Sequence, residues 1–331
     1  MKERKILVIR FSSIGDIVLT TPVVRAVKEQ LLSVRLHYLT KAVNTPLLEN
    51  NPYIDKVIPL ADDFSSTVSF LKEQDYDCIV DLHKNIRSFR VRLALRKKCF
   101  SFDKLDFKKM LLVRFKLNLL PERHIVDRYF DAVKSLHVSN DGKGLDYFFC
   151  EKDHKSFEEL PEDFKEGYVA IVVGSRHNTK QMPEDILTKI CNGIKKHIVL
   201  LGGKTDREKA NNISETAGAK VFNACGLYDI GQSAMLLNKS LGVITPDTGL
   251  MHIAAALDKN IICLWGNTVT DFGMYPYRKN ASSATTCNFE VEGLSCRPCS
   301  KLGFDRCPRK HFNCMEKQDT ERIVNIANTW I

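Results

Sequence analysis

The sequence contains no apolar run of about 18 residues, the length a helix needs to cross a bilayer, so no transmembrane helix is expected. It also lacks a recognisable leader. Met1 to Arg10 carries charges and enters a strand-like run that stops at Ser12, without the longer apolar core and small-residue cleavage site of a signal peptide. The expected location is the cytoplasm. A third absence is the G-x-G-x-x-G turn that should follow the first strand of a dinucleotide-binding unit. Ser12-Ser13-Ile14-Gly15-Asp16 stands there instead, with a single glycine. That counts against a nicotinamide-dependent oxidoreductase.

What is present suits two soluble domains. The 331 residues are 44% hydrophobic and 27% charged, ordinary values for a globular chain with apolar material for two cores. Forty-nine Lys and Arg against 40 Asp and Glu leave a net charge of +9. Such a balance suits an anionic partner, whether nucleotide sugar, phosphorylated lipid surface or nucleic acid, and does not choose among them. Six of the eleven cysteines, Cys78, Cys99, Cys150, Cys191, Cys225 and Cys263, are scattered and read as small core residues.

Short continuous apolar runs alternate with helical patterns, the signature of parallel sheets covered on both faces. Lys5–Arg10, Arg35–Thr40, Lys56–Leu60 and Asp77–His83 read as strands of a first set, with a helix over 17–31 that carries Pro22 in its early part. Glu151–Gly167, polar and acidic with Pro161, reads as a linker. A second set follows at Tyr168–Gly174, His197–Gly203, Lys220–Cys225, Leu241–Pro246 and Ile261–Gly266, with helices over Glu184–Lys195 and Asp206–Ala217. Asp319–Ile331 reads as a closing helix. The expected architecture is α/β, with two doubly wound Rossmann-like domains, residues 1–160 and 161–331, facing a central cleft.

Four segments at predicted strand ends could carry chemistry. In Ser12–Asp16, Gly15 lets backbone approach a ligand, but a carboxylate would repel phosphate. Asp16 therefore reads either as a helix cap or as a general base. In Asp247-Thr248-Gly249-Leu250-Met251-His252-Ile253-Ala254-Ala255 a strand runs into a small-residue turn and an Ala-rich helix. A diphosphate is favoured at such a helix start; the bland alternative is a packed turn with His252 in the core. Gly174-Ser175-Arg176 with Lys180 and Pro183 offers a mobile ammonium for phosphate, or a solvated basic loop. After Gly202-Gly203, Asp206 can bind ribose hydroxyls or cap the next helix.

Taken together, these segments resemble the heptosyltransferase family of glycosyltransferases (family 9). That family pairs a strand followed by S-S-x-G-D with a D-[ST]-G-x-x-H-x-A-A motif in its second domain. Both stand here, at Ser12–Asp16 and Asp247–Ala255, with the basic stretch Gly174–Pro183 between them. Met182 occupies a position where some relatives have an aromatic residue. The resemblance implies a GT-B fold and an inverting, metal-independent transfer with no required cofactor. It implies Asp16 as general base, and Lys180 with the N–H groups of Thr248 and Gly249 on the leaving diphosphate. Asp206 would hold the ribose, and Ser175, Asp247 and His252 would shape the donor site. The implied donor is an ADP-sugar, ADP-heptose, and the implied acceptor a lipid-linked anionic glycan of the lipopolysaccharide inner core. Another nucleotide sugar or surface glycan is the alternative.

Ser12 and Ser13, and Lys84, Arg87 and Arg128, would meet the acceptor, Arg being suited to bidentate contact with carboxylate or phosphate. Phe107–Leu120 mixes basic and apolar residues. It could rest peripherally on the inner-membrane surface, although an ordinary helix packed into the first domain is the favoured reading. Near the C-terminus, Cys296, Cys299, Cys307 and Cys314 have the spacing of a structural metal site; reduced thiols or a local disulfide are favoured over it. No catalytic metal and no nucleic-acid partner are expected, and the chain is expected to be a monomer.

Overall fold

The computed structural model describes residues 3–330. The chain forms two compact units. The first comprises residues up to Lys104, with Arg123–Phe148 and Tyr277–Asn280; the second comprises Leu105–Glu122, Phe149–Pro276 and the chain from Ala281 onward.

The first unit is built on a five-stranded parallel sheet of β1 (Arg4–Ile9), β2 (Val34–Lys41), β3 (Lys56–Leu60), β4 (Cys78–Asp81) and β5 (Lys98–Ser101), ordered β3-β2-β1-β4-β5. Central β1 is buried from Ile6 to Ile9, which is why its run is uniformly apolar rather than alternating. In register, Ile6 faces Leu36 on one side and Cys78 on the other. Leu7, Ile9, Leu39, Ile79 and Val91 form its core with Leu71 and Tyr76. The helical pattern read over 17–31 divides into Ile14–Val18 and Thr21–Gln30, with Pro22 in the first turn of the second helix. The reason is local: proline has no N–H to continue an incoming helix but suits the start of a new one.

The second unit carries six parallel strands: β6 (Tyr168–Val172), β7 (His197–Leu201), β8 (Val221–Asn223), β9 (Gly242–Pro246), β10 (Ile261–Trp265) and β11 (Thr286–Glu290). Their order is β11-β10-β9-β6-β7-β8. Ile171, Ile190, Leu200, Ile244 and Leu264 lie in its core with Trp330. A Cβ at Gly242 would meet the Trp330 ring at 2.4 Å, so a glycine there admits the indole against the sheet. The closing helix is Thr320–Ala327, capped by Asp319, whose side chain accepts from the Arg322 N–H at 3.0 Å; residue 331 lies outside the described residues. Strands β5 and β11 sit at sheet edges and escape the sequence pattern because they are short and only partly buried.

Two expectations change. The stretch 151–167 is no open linker. It folds as short helical turns, Glu151–His154, Lys155–Glu158 and Glu162–Lys165. The first two pack on the helix Ile230–Lys239, and the Ser156 hydroxyl donates to the Gln232 carbonyl at 2.8 Å. The body of the first unit accordingly ends at Phe148, not at 160. Second, the helix Asp106–Phe115 belongs to the second unit rather than the first. Leu112 packs with Val269 and Phe272, and the Lys116 ammonium donates to the carbonyls of Cys296 and Pro298. A sequence window does not reveal which of two cores its buried side chains will join. Among the described residues, no helix is long and apolar enough to cross a membrane.

Candidate functional sites in the two units

In the first unit, β1 ends at Ile9 and delivers Arg10, the Phe11–Ser13 turn and the short helix bearing Asp16 to the C-terminal edge of the sheet. The Arg10 guanidinium is held at three points. It donates to the Leu82 carbonyl at 2.5 Å and the Ser12 carbonyl at 2.9 Å, and its Nη2 lies 2.5 Å from Asp16 Oδ1. Asp16 Oδ2 also accepts from the Ser13 N–H at 3.0 Å and from its hydroxyl at 2.7 Å. Burial pushes this carboxyl up, but Arg10 and the two Ser13 donors outweigh it and hold the pKa down at about 2. Capping contact and low-lying carboxylate are thus the same residue.

Beside this turn lies a cavity of about 400 Å³ lined by Phe11, Ser12, Lys41, His83, Asn85, Ile86, Arg87 and Arg90. Its lining holds three permanent cations and no acid. Burial, and then the nearby Arg10 charge, push the His83 imidazole down to about 4, so it is neutral at physiological pH. Its Nδ1 is buried with no hydrogen-bond partner among the described residues. Of the acceptor-side residues expected from sequence, Ser12 and Arg87 line this cavity, while Ser13, Lys84 and Arg128 are not in its lining. The Lys84 ammonium donates to the Phe102 carbonyl at 2.9 Å, and Arg128 is buried on the helix Ile125–Asp131. Lys41, His83 and Arg90 were missed. Lys41 ends β2 and His83 lies just past β4, positions that do signal a ligand-facing edge in a parallel sheet.

In the second unit, Lys180 and Asp247 are 67 residues apart in sequence, yet the ammonium lies 2.6 Å from Asp247 Oδ2, with both side chains 15% exposed. The Thr268 hydroxyl donates to the same carboxylate oxygen at 2.9 Å. Thr268 follows β10, and its carbonyl accepts from Arg297 at 2.8 Å. Arg297 also donates to the carbonyls of Gly266 and Val291 and to the Glu290 carboxylate. The 266–268 turn is therefore pinned from beneath, and Thr268 in turn orients Asp247. Thr248 stands at the N-terminal boundary of the helix Gly249–Ala256 without a side-chain capping bond, its hydroxyl 3.3 Å from that of Thr245, and His252 is buried on that helix. Neither Thr268 nor Arg297 could be singled out from sequence: no spacing ties them to Asp247, and Arg297 stands inside a C-x-x-C that draws attention to its sulfurs.

Asp206 sits above two neighbouring strand ends. Its Oδ2 accepts from the Gly203 N–H at 2.8 Å, and a Cβ at Gly174 would stand 1.9 Å from the same oxygen. Position 174 is glycine because the carboxylate occupies the volume a side chain would need. Ser175 follows, its carbonyl accepting from the Gln181 side chain at 2.8 Å. Met182 is buried in the core of this unit.

The cysteines form no disulfide. Cys296 Sγ lies 3.8 Å from His311 Nε2, and the Cys299 thiol, pushed up to about 11 by burial and then by Cys296, lies 3.1 Å from the Cys296 carbonyl. Among the described residues, no three His, Cys, Asp or Glu side chains are arranged to hold a metal ion.

The model of glycosyltransferase family 9 (heptosyltransferase) matches residues 66–299. The chain is 25% identical over 288 residues to lipopolysaccharide heptosyltransferase 1 of Campylobacter coli, covering 80% of this chain and 84% of that protein. Among solved structures it is similar to a family 9 glycosyltransferase from Veillonella parvula, with a TM-score of 0.77 and 20% identity over 99% of this chain and 97% of that one. It is also similar to the ADP-heptose heptosyltransferase II of Escherichia coli, with a TM-score of 0.68 and 18% identity over 97% and 98% of the two chains.

Proposed function

The chain belongs to glycosyltransferase family 9 and is a glycosyltransferase of the GT-B fold; from that footing we propose that it moves heptose from ADP-heptose to a lipid-linked, anionic inner-core glycan, with inversion and without a metal. The observation that supports this reading best is the Arg10-held Asp16 carboxylate at the edge of a cavity whose lining has cations and no acid. Lys41, Arg87 and Arg90 suit an acceptor bearing carboxylates or phosphates. Ser12 and Ser13 belong to the turn that presents Asp16.

In the proposed reaction, an acceptor hydroxyl oxygen bonds to the anomeric carbon of the donor. The bond from that carbon to the diphosphate oxygen breaks, and its electron pair leaves with ADP. The hydroxyl proton passes to Asp16. A carboxylate held near 2 is a weak base. Proton transfer therefore comes late, after bond formation has made the hydroxyl acidic. On the donor side, the Lys180 ammonium has three N–H donors, so it can keep Asp247 while meeting the diphosphate. The N–H groups at the start of Gly249–Ala256 add the positive end of a helix dipole. Asp206 is assigned to the ribose, Ser175 and His252 to the shape of the donor site. Lysine and helix terminus supply the charge that a metal supplies elsewhere. A nucleotide-sugar donor suits a cytoplasmic enzyme.

Calorimetry of the full chain against ADP, UDP, GDP, CMP and NAD without added metal tests the donor. Selective ADP binding, followed by turnover of ADP-heptose on an inner-core acceptor, is the expected result. Preference for UDP or GDP would replace the donor and keep the mechanism. Binding of NAD alone would overturn the transfer reading.

A further inference from the structure

The helix Ile86–Leu95 of the first unit turns Ser88, Val91 and Leu95 inward and leaves large apolar side chains in water: Ile86 is 83% exposed, Phe89 55% and Leu93 65%. Positions 86, 89 and 93 share one helix face, so these are a stripe rather than scattered singles. Along the chain, the charge of this helix and its flanks is of one sign, and Asp81 lies 3.9 Å from Arg92. Leu82 to Phe102 contains seven Lys or Arg and no Asp or Glu. Arg87, Arg90, Arg96 and Lys98 are exposed, and the cations with identified partners mostly pair locally. Arg90 stacks on Phe64, Arg92 lies over Phe89, and Lys97 pairs with Asp75.

We propose that this helix face is a docking surface for an anionic lipid bilayer. The apolar stripe enters the headgroup boundary while the flanking guanidinium and ammonium groups meet lipid phosphates. Charge and side-chain type decide against the other occupants. A second copy of the chain docked on the same face would oppose like charges across the contact. A single-stranded nucleic acid would want aromatic platforms, whereas two of the three exposed residues are aliphatic. Ile86, Arg87 and Arg90 also line the cavity beside Asp16, so a docked bilayer brings its headgroup layer to the mouth of that cavity. This last step rests on the cavity's proposed role as the acceptor side; the docking itself does not.

The test is co-sedimentation of the full chain with vesicles of phosphatidylcholine, with and without phosphatidylglycerol. Binding should require the anionic lipid and weaken with salt. A double variant, Phe89→Ser with Leu93→Ser, keeps the buried face intact and should lose about tenfold or more in vesicle affinity. Arg96→Gln should lose about fivefold. Phe107→Ser with Phe115→Ser, on the exposed apolar helix of the second unit, should bind like the parent. Failure to bind anionic vesicles overturns the proposal. So does loss of binding only in the 107/115 variant, or a change of oligomeric state in the 89/93 variant by light scattering. Vesicle binding needs neither donor nor acceptor, so its outcome is separate from that of the transferase assays.

Discussion

The Arg10 guanidinium contacts the Asp16 carboxylate at 2.5 Å and is itself fixed by the carbonyls of Ser12 and Leu82. The residue proposed as base is therefore half of a partly buried ion pair, and Arg10 sets both where it points and how tightly it holds a proton. Removing the carboxylate and removing its partner should have different effects.

Asp16→Asn keeps the shape of the turn and should lower kcat by about 10²–10⁴, the usual range for losing a general base, with ADP affinity unchanged in calorimetry. Arg10→Gln frees the carboxyl to rise from about 2. Its pH–rate profile should show an acid limb displaced to higher pH, with activity reduced but not abolished. A profile identical to the parent would remove Arg10 from this role.

Acid stability should follow His83 and Asp16. In the folded chain His83 titrates near 4 rather than 6.5. Between those values the unfolded chain binds a proton that the folded chain does not, so stability falls as pH drops from 6.5 through 4. His37, also lowered by burial, adds to the same trend. Asp16 acts lower: its ion pair contributes fully above 3.8, and that contribution is lost as pH falls toward 2. His83→Gln should flatten part of the loss between pH 6.5 and 4 in urea denaturation. An unchanged slope would mean that His83 titrates normally.

Thr268→Val removes one donor to Asp247 while keeping the side chain's shape. It should cost about 0.5–1.5 kcal/mol of stability and raise KM for the donor several-fold more than it lowers kcat. Lys180→Ala should weaken nucleotide affinity and kcat together. If calorimetry finds ADP affinity intact in the lysine variant, the diphosphate assignment is wrong.

Gly174→Ala drives a methyl group into the Asp206 carboxylate. Overpacking of this kind costs about 1–3 kcal/mol, and displacement of Asp206 should also weaken ADP binding. Normal stability and normal ADP affinity together would show that Asp206 moves without consequence and has no part in holding the nucleotide.

Most of the fold was legible because both faces of a parallel strand are buried, so β1, β6 and β10 had to be written as continuous apolar runs. Edge strands are held to that demand less strictly: Lys56–Leu60 and Val221–Asn223 were still readable, whereas Lys98–Ser101 and Thr286–Glu290, short and only partly buried, went unread. Asp16, Lys180 and Asp247 were legible as polar residues at strand ends within a resemblance that spans much of the chain. Lys41 and His83 carried only the weaker signal of a strand end and Arg90 none, because a cavity wall is assembled from separate strand–helix turns whose convergence no spacing records.

By itself the sequence determined the alternation of strand and helix, the two sheets and the residues able to do polar chemistry, since these follow from local burial and turn geometry. Tertiary structure alone decided which of those residues pair. It set Lys180 against Asp247 across 67 positions, put Arg10 under Asp16, joined 105–122 to the second unit, and left Phe89 and Leu93 uncovered. The physical reason is that an ion pair or a packed face depends on distance in space, and only the assembled sheets and their covering helices bring remote segments within reach.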